Sequence, residues 1–275
     1  MESRVKKIIL ITVSTILAWL FLVPLLFMLF TSFKTMADSV TSSKLLPKYW
    51  TIENYVSIFK DTANSPIIRW FVNTVIVTSV GTCATILVDC LAAYALARLD
   101  LPGRHKIIII IIWVMTIPGI VTVFPAFYIF KRIQLINTFI PLILPYTANV
   151  TGVYLIYNFL IDFPKTLEEA AKVDGADTLQ IFIHIVLPCI KPIVVTLAFI
   201  TFLNIYNDYL WPSLVASATE MRTMTVGIAS LVLGSNFVNP GLMMAATLCA
   251  VVPALILFLV LNKYIVRGDK NAGIK

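Results

Sequence analysis

Few side chains in this 275-residue chain can do chemistry. His105 and His184 are distant in sequence and have no companions at metal-ligand spacing, so no metal site is expected. Cys83, Cys90, Cys189 and Cys249 all lie in apolar runs, without a C-x-x-C pair. On one helix, Cys83 and Cys90 would stand about 10 Å apart, too far for a disulfide. There is no G-x-x-x-x-G-K-[ST] loop, so the chain has no phosphate loop with which to hydrolyse ATP. What remains is recognition chemistry by carboxylates, amides, hydroxyls and aromatic rings.

Two polar stripes carry such groups. Thr74, Thr78, Thr82, Thr85 and Asp89 recur every three or four residues and so share one helical face. A carboxylate inside an apolar run is a functional candidate by default. The competing reading is a helix–helix seam held by hydroxyls. Thr201, Asn204, Asp208 and Trp211 form a second stripe. Sugars are bound by aromatic faces under their C–H surfaces and by amides or carboxylates on their hydroxyls, and this stripe offers both. Trp211 also suits a membrane–water interface. Thr85, Asp89, Asn204, Asp208 and Trp211 are therefore the candidate substrate-pathway residues.

The third polar passage reads Glu169-Ala170-Ala171-Lys172-Val173-Asp174-Gly175, followed by Ile185-Val186-Leu187-Pro188. Thr166 with Glu169 three residues on predicts a capping box and a helix start. Gly175 supplies the positive φ that ends a helix at little cost. Asp177 with Gln180 predicts a second capped start, and Pro188 and Pro192 re-aim the chain. The expected product is a short helix, a sharp turn and a second helix. Ala170 and Ala171 leave room for another surface to approach closely.

These groups must be positioned by membrane-spanning elements. The chain is 59% hydrophobic and 13% charged, with a mean hydropathy of +0.93. Soluble domains carry about 25% charged residues, so the bilayer must be the solvent here. Six continuous apolar segments are expected to span it, roughly at 8–33, 70–97, 106–130, 138–161, 189–215 and 241–263. Continuity rather than alternation excludes a β-barrel. The first segment is too long for a signal-peptide core and is read as a retained span. Thirteen of the 21 Lys and Arg fall on one side of this topology, which places both termini in the cytoplasm. The basic excess marks those loops; no basic patch interleaved with aromatics suggests nucleic acid. The first outer loop, about 34–69, is expected to start a short helix with Thr51 as N-cap. Pro118-Gly119, Pro125, Pro141, Pro145 and Pro253 predict kinked or broken spans.

The spacing E-A-A-x3-G-x9-I-x-L-P resembles the signature of permease subunits of binding-protein-dependent ABC importers. Phe71-Val72-Asn73-Thr74, the run Ala93 to Arg98, Asn207 to Pro212 and Arg222 to Gly227 resemble the carbohydrate-uptake, maltose-type (MalG-like) branch. That branch carries Glu where this chain has Asp208. The resemblance implies an all-α polytopic permease of the type I importer fold, a single domain over 1–275. It implies a cytoplasmic coupling helix within 164–188, between the fourth and fifth spans. Glu168, Glu169, Ala170, Ala171, Asp174, Gly175, Leu187 and Pro188 would then couple to a separate ATPase dimer that uses ATP and Mg, with no cofactor on this chain. Glu169 would be the polar anchor. Further implied partners are a second, different permease subunit and an extracellular or periplasmic sugar-binding protein, in a bacterial or archaeal cytoplasmic membrane. The loop from Ser217 to Asn239 would face that binding protein. An importer of a non-sugar solute is the nearest alternative, and an ion-coupled secondary transporter is a more distant one.

Overall fold

In a computed structural model, the structure describes residues 2–61, 65–233 and 239–272. Every regular element among them is helical. The chain divides into two compact units: residues 1–69 with 226–253, and residues 70–225 with 254–275.

The first unit begins with α1 (Glu2–Ser32), followed by α2 (Met36–Thr41) and α3 (Glu53–Lys60). Thr51 does not cap α3 in the expected way. Its hydroxyl accepts from Glu53 N at 3.1 Å, but Ile52 occupies the cap position. Asn54 is buried and donates to the carbonyls of Ser32 and Lys34, each at 2.8 Å, which fastens α3 to the end of α1. Lys34 is buried as well, and its ammonium donates to Lys44 O at 2.6 Å.

The second unit is built on α4 (Ile67–Arg98), 32 residues and therefore about 48 Å long. The expected third span is not one helix. It is α5 (Arg104–Met115) and α6 (Ile120–Arg132), bent by 100° at the break. Pro118 explains the break, since it bars Ile117 from helical geometry and its ring would strike a carbonyl four residues back. Pro125, by contrast, lies inside an unbroken α6.

The fourth segment opens with α7 (Phe139–Ile143) and one 3₁₀ turn before α8 (Val150–Asp162). After it come α9 (Thr166–Val173), α10 (Thr178–Ile181), a π-turn over Phe182–Val186 and α11 (Leu187–Cys189). The fifth segment is α12 (Lys191–Asn207), bent by 77° from the helical stretch before it, and α13 (Leu210–Val215). α14 (Met224–Leu233) and α15 (Pro240–Ala272) complete the chain. Pro253 lies within α15, where one unit passes to the other.

Among the described residues, three helical stretches are long and apolar enough to cross a membrane: Lys6–Ser32, Ile67–Arg98 and Phe139–Asp162. The number rises to five if each bent pair is one span. The sixth expected segment lies in α15, whose described apolar stretch is Pro240–Ile256.

Among the described residues, two apolar clusters hold the second unit together. One joins Ala93, Tyr94 and Ala97 of α4 to Ile156 and Leu160 of α8, and to Ile181, Phe182, Val186 and Ile190. The other joins Val77 of α4 to Phe130, Leu142, Ile205, Trp211 and Val215. They lie toward opposite ends of α4, so that helix organises both.

Candidate functional site

The polar passage after α8 is a helix, a tight turn and a second helix. α9 starts one residue earlier than a Thr166 cap requires. Pro164 leaves Phe163 extended and Lys165 already helical, so Lys165 is the N-cap and Glu169 N donates to its carbonyl at 2.9 Å. The Thr166 hydroxyl makes no cap.

The far end of α9 is as the sequence predicts. Gly175 has φ +85°. Its N–H reaches Lys172 O at 3.1 Å, and Ala176 N–H reaches Ala171 O at 2.9 Å. This pair of bonds is a Schellman turn, which satisfies the last carbonyls of the helix. Asp177 then caps α10. Its carboxylate accepts from Gln180 N at 2.8 Å, while the Gln180 amide oxygen accepts from Asp177 N at 2.9 Å.

The two adjacent glutamates of α9 have opposite surroundings. Glu168 is buried and Glu169 is exposed. Arg98, the last residue of α4, places its Nε 2.7 Å from Glu168 Oε1; the two side chains are 3% and 7% exposed. The contact is a close ion pair rather than a well-aligned hydrogen bond. Arg98 Nη2 also donates to Phe163 O at 2.8 Å. One guanidinium thus holds both the chain entering α9 and the first turn of α9. Nearby, the rings of Tyr94 and Phe182 pack 5.1 Å apart, and half-buried Ala171 and Leu187 lie against the same cluster. Ala170, Asp174 and Pro188 are exposed, and Val173 is 88% exposed.

The other end of α4 is tied to the 217–225 segment. Trp70 Nε1 donates to Thr219 O at 2.7 Å. Asn73 Nδ2 donates to Glu220 O at 2.7 Å and to Arg222 O at 3.1 Å. Thr74 Oγ1 accepts from Met224 N at 2.7 Å. The expected loop from Ser217 to Asn239 is described up to Leu233 and is mostly α14; residues 234–238 lie outside the described residues.

Between these ends, the expected stripe of α4 points inward. Thr74, Thr78, Thr82, Thr85 and Asp89 are all buried. Thr85 Oγ1 lies 2.7 Å from Gly81 O and 3.0 Å from Tyr146 O. Asp89 Oδ2 accepts from Asn149 Nδ2 at 3.0 Å, whereas Oδ1 has no hydrogen-bond partner among the described residues. Gly152 packs directly against this carboxylate. A Cβ there would land on Asp89 Oδ2 and also lie 2.6 Å from Asn149 Nδ2.

The second stripe does not lie on one helix. α12 ends at Asn207, and Asp208 is extended, with ψ 128°. Pro212 accounts for the break, because in a continuous helix its ring would strike the carbonyl of Asp208. Asn204 is exposed, Thr201 is buried and Asp208 is half-buried. Asp208 Oδ2 accepts from Tyr146 Oη at 2.7 Å. The Asp208 carbonyl accepts from Thr225 Oγ1 at 2.9 Å. Trp211 is buried; its Nε1 donates to Pro141 O at 2.7 Å and its ring meets Phe130 edge-on at 5.9 Å. The aromatic face and the carboxylate are thus both engaged within the protein. Tyr146, Asn149 and Gly152 carry no local sequence signal for these contacts.

Helical elements throughout the described residues, with stretches long and apolar enough to cross a membrane, mark an integral membrane protein. The pattern of the binding-protein-dependent transport system inner membrane component matches residues 90–268, and the chain belongs to that family. It is similar to the sulfoquinovosyl glycerol transport system permease protein SmoH of Agrobacterium fabrum, with 34% identity over 92% of this chain and 89% of that one. It is also similar to the trehalose/maltose transport system permease protein MalG of Thermococcus litoralis, with 30% identity over 100% of this chain and 99% of that one. Its fold resembles that of a bacterial ABC transporter involved in the import of alginate, with a TM-score of 0.84 and 21% identity over 96% of this chain and 98% of the other.

Proposed function

We propose that this chain is a permease subunit of an ABC importer that moves a sugar or oligosaccharide into the cytoplasm by alternating access. The relatives that support the substrate class are named for saccharides or their glycerol conjugates. Six spans, formed by both bent pairs and α15 together with the three stretches long enough by themselves, would carry the pathway, with both termini in the cytoplasm. The membrane would be the cytoplasmic membrane of a bacterium or archaeon. A second, different permease subunit would complete the pore. A binding protein outside would deliver the sugar; a solved relative has been captured with a saccharide-bound periplasmic protein.

The observation that carries the reading is the division within α9. Glu168 turns inward to Arg98, while Glu169, Ala170 and Val173 face away from the protein. A polar helical turn this firmly seated, with Val173 and Leu179 left exposed, suits docking by another protein. The docked protein would be the ATPase dimer, which binds ATP and Mg and closes on it. This chain performs no catalysis itself.

Co-purification in mild detergent tests the proposal: an ATPase is expected with the wild-type chain. Glu169→Lys is expected to insert normally and to abolish ATP-driven uptake. Absence of any ATPase from the wild-type preparation, or full uptake by the variant, would overturn the assignment.

A further inference from the structure

We infer that Arg98 is a positioning residue through which movement of α9 enters α4, and that α4 delivers this movement to the 219–224 segment at its far end. The inference rests on the reading of α9 as the ATPase-docking helix.

Three observations support it. First, Arg98 grips α9 at two places: Glu168 on its first turn and the Phe163 carbonyl at its entrance. Two anchors fix direction as well as distance, so α9 cannot swing about a single point. Second, both members of the ion pair are buried, 3% and 7% exposed. A buried pair is poorly screened, and removing one partner leaves the other charge stranded. The pair therefore resists separation when α9 is pulled. Third, α4 is one unbroken helix of 32 residues without an internal proline, although the neighbouring α5–α6 and α12–α13 segments are broken. At its other end, Trp70, Asn73 and Thr74 make four hydrogen bonds of 2.7–3.1 Å to the backbone of residues 219, 220, 222 and 224. An unbroken helix anchored at both ends carries movement along its length. Glu168 thus serves the protein's interior, while the exposed neighbour Glu169 serves the docking face.

The test needs no sugar. A bimane probe is attached at Glu220→Cys, an exposed position in the far segment, with Cys83, Cys90, Cys189 and Cys249 replaced by Ala. The complex in nanodiscs is trapped with MgATP and vanadate. The wild-type probe is expected to shift on trapping. Arg98→Glu and Glu168→Arg should each retain trapped ADP but shrink the probe shift by about tenfold, a coupling loss within the usual allosteric range. The double exchange Arg98→Glu with Glu168→Arg should restore most of the shift, which generic destabilisation would not do. If either single reversal prevents assembly, Glu168→Gln, which keeps the shape and removes the charge, takes its place with Arg98→Lys. An undiminished probe shift in the reversals or in these milder variants, or a double exchange no better than the singles, would overturn the inference. A wild-type complex that traps no ADP would instead overturn the docking assignment itself.

Discussion

At the scale of single residues, chemistry legible from local spacing and chemistry legible only from contact separate cleanly. Gly175, Asp177 and Gln180 act through neighbours three or four positions away, so their roles as turn and cap could be read in the sequence. Glu168 and Asp208 act through partners far along the chain, Arg98 and Tyr146, and no local pattern marks that. Trp211 reads as a sugar-stacking ring by type, but its ring and its N–H are spent on Phe130 and Pro141. Gly152 is a position where only hydrogen fits. Gly152→Ala is expected to cost about 1–3 kcal/mol of stability through overpacking against Asp89. Thermal unfolding in detergent measures it, and the same substitution in an Asp89→Ala background should cost clearly less. An equal cost in both backgrounds would mean that the carboxylate is not what Gly152 accommodates.

At the scale of elements, apolar runs marked the candidate spans, and prolines decided where helices within them break. Hydropathy counts residues without regard to direction, so it merged α5 with α6 and α12 with α13. Pro118 and Pro212 break those runs by removing an N–H and crowding the carbonyl four residues back. Pro125 breaks nothing, so the presence of a proline alone could not tell a break from a continuous helix. The helix α9 was legible in position but shifted at its start, because Pro164 rather than Thr166 sets the first turn. The tight turn after α9 depends on a left-handed residue. Gly175→Val places a β-branched side chain at φ +85°, at a cost of about 1–3 kcal/mol in local strain. The expected outcome is a loosened α9–α10 turn: faster proteolysis within 166–180 and weaker retention of the ATPase, with membrane insertion unchanged. A variant with wild-type proteolysis and retention would show that the turn does not need that geometry.

At the scale of the whole chain, composition made the membrane legible, but it could not count the crossings, since a bent pair can be one broken span or a re-entrant hairpin. The Arg98–Glu168 contact bears on that count. If this pair lies outside the hydrocarbon, two residues 2.7 Å apart share one side of the bilayer, and the chain between them crosses an even number of times. Phe139–Asp162 is long and apolar enough for one crossing. An even count would then need a second crossing, and the pair Arg104–Arg132, despite its 100° bend, is the stretch available for it. The Trp70–Thr219 bond extends the count. Thr219 is bonded to the start of α4 and Glu168 to its end, so if α4 crosses once, the chain between Glu168 and Thr219 crosses an odd number of times. The bent pair Thr178–Asn207 is the segment available to do so. Sidedness reporters at Asp174 and at Glu220 should therefore report opposite faces, and a shared face would break the parity. A buried ion pair and an indole hydrogen bond thus act as a topological ruler, assigning sides from contacts that involve no lipid at all.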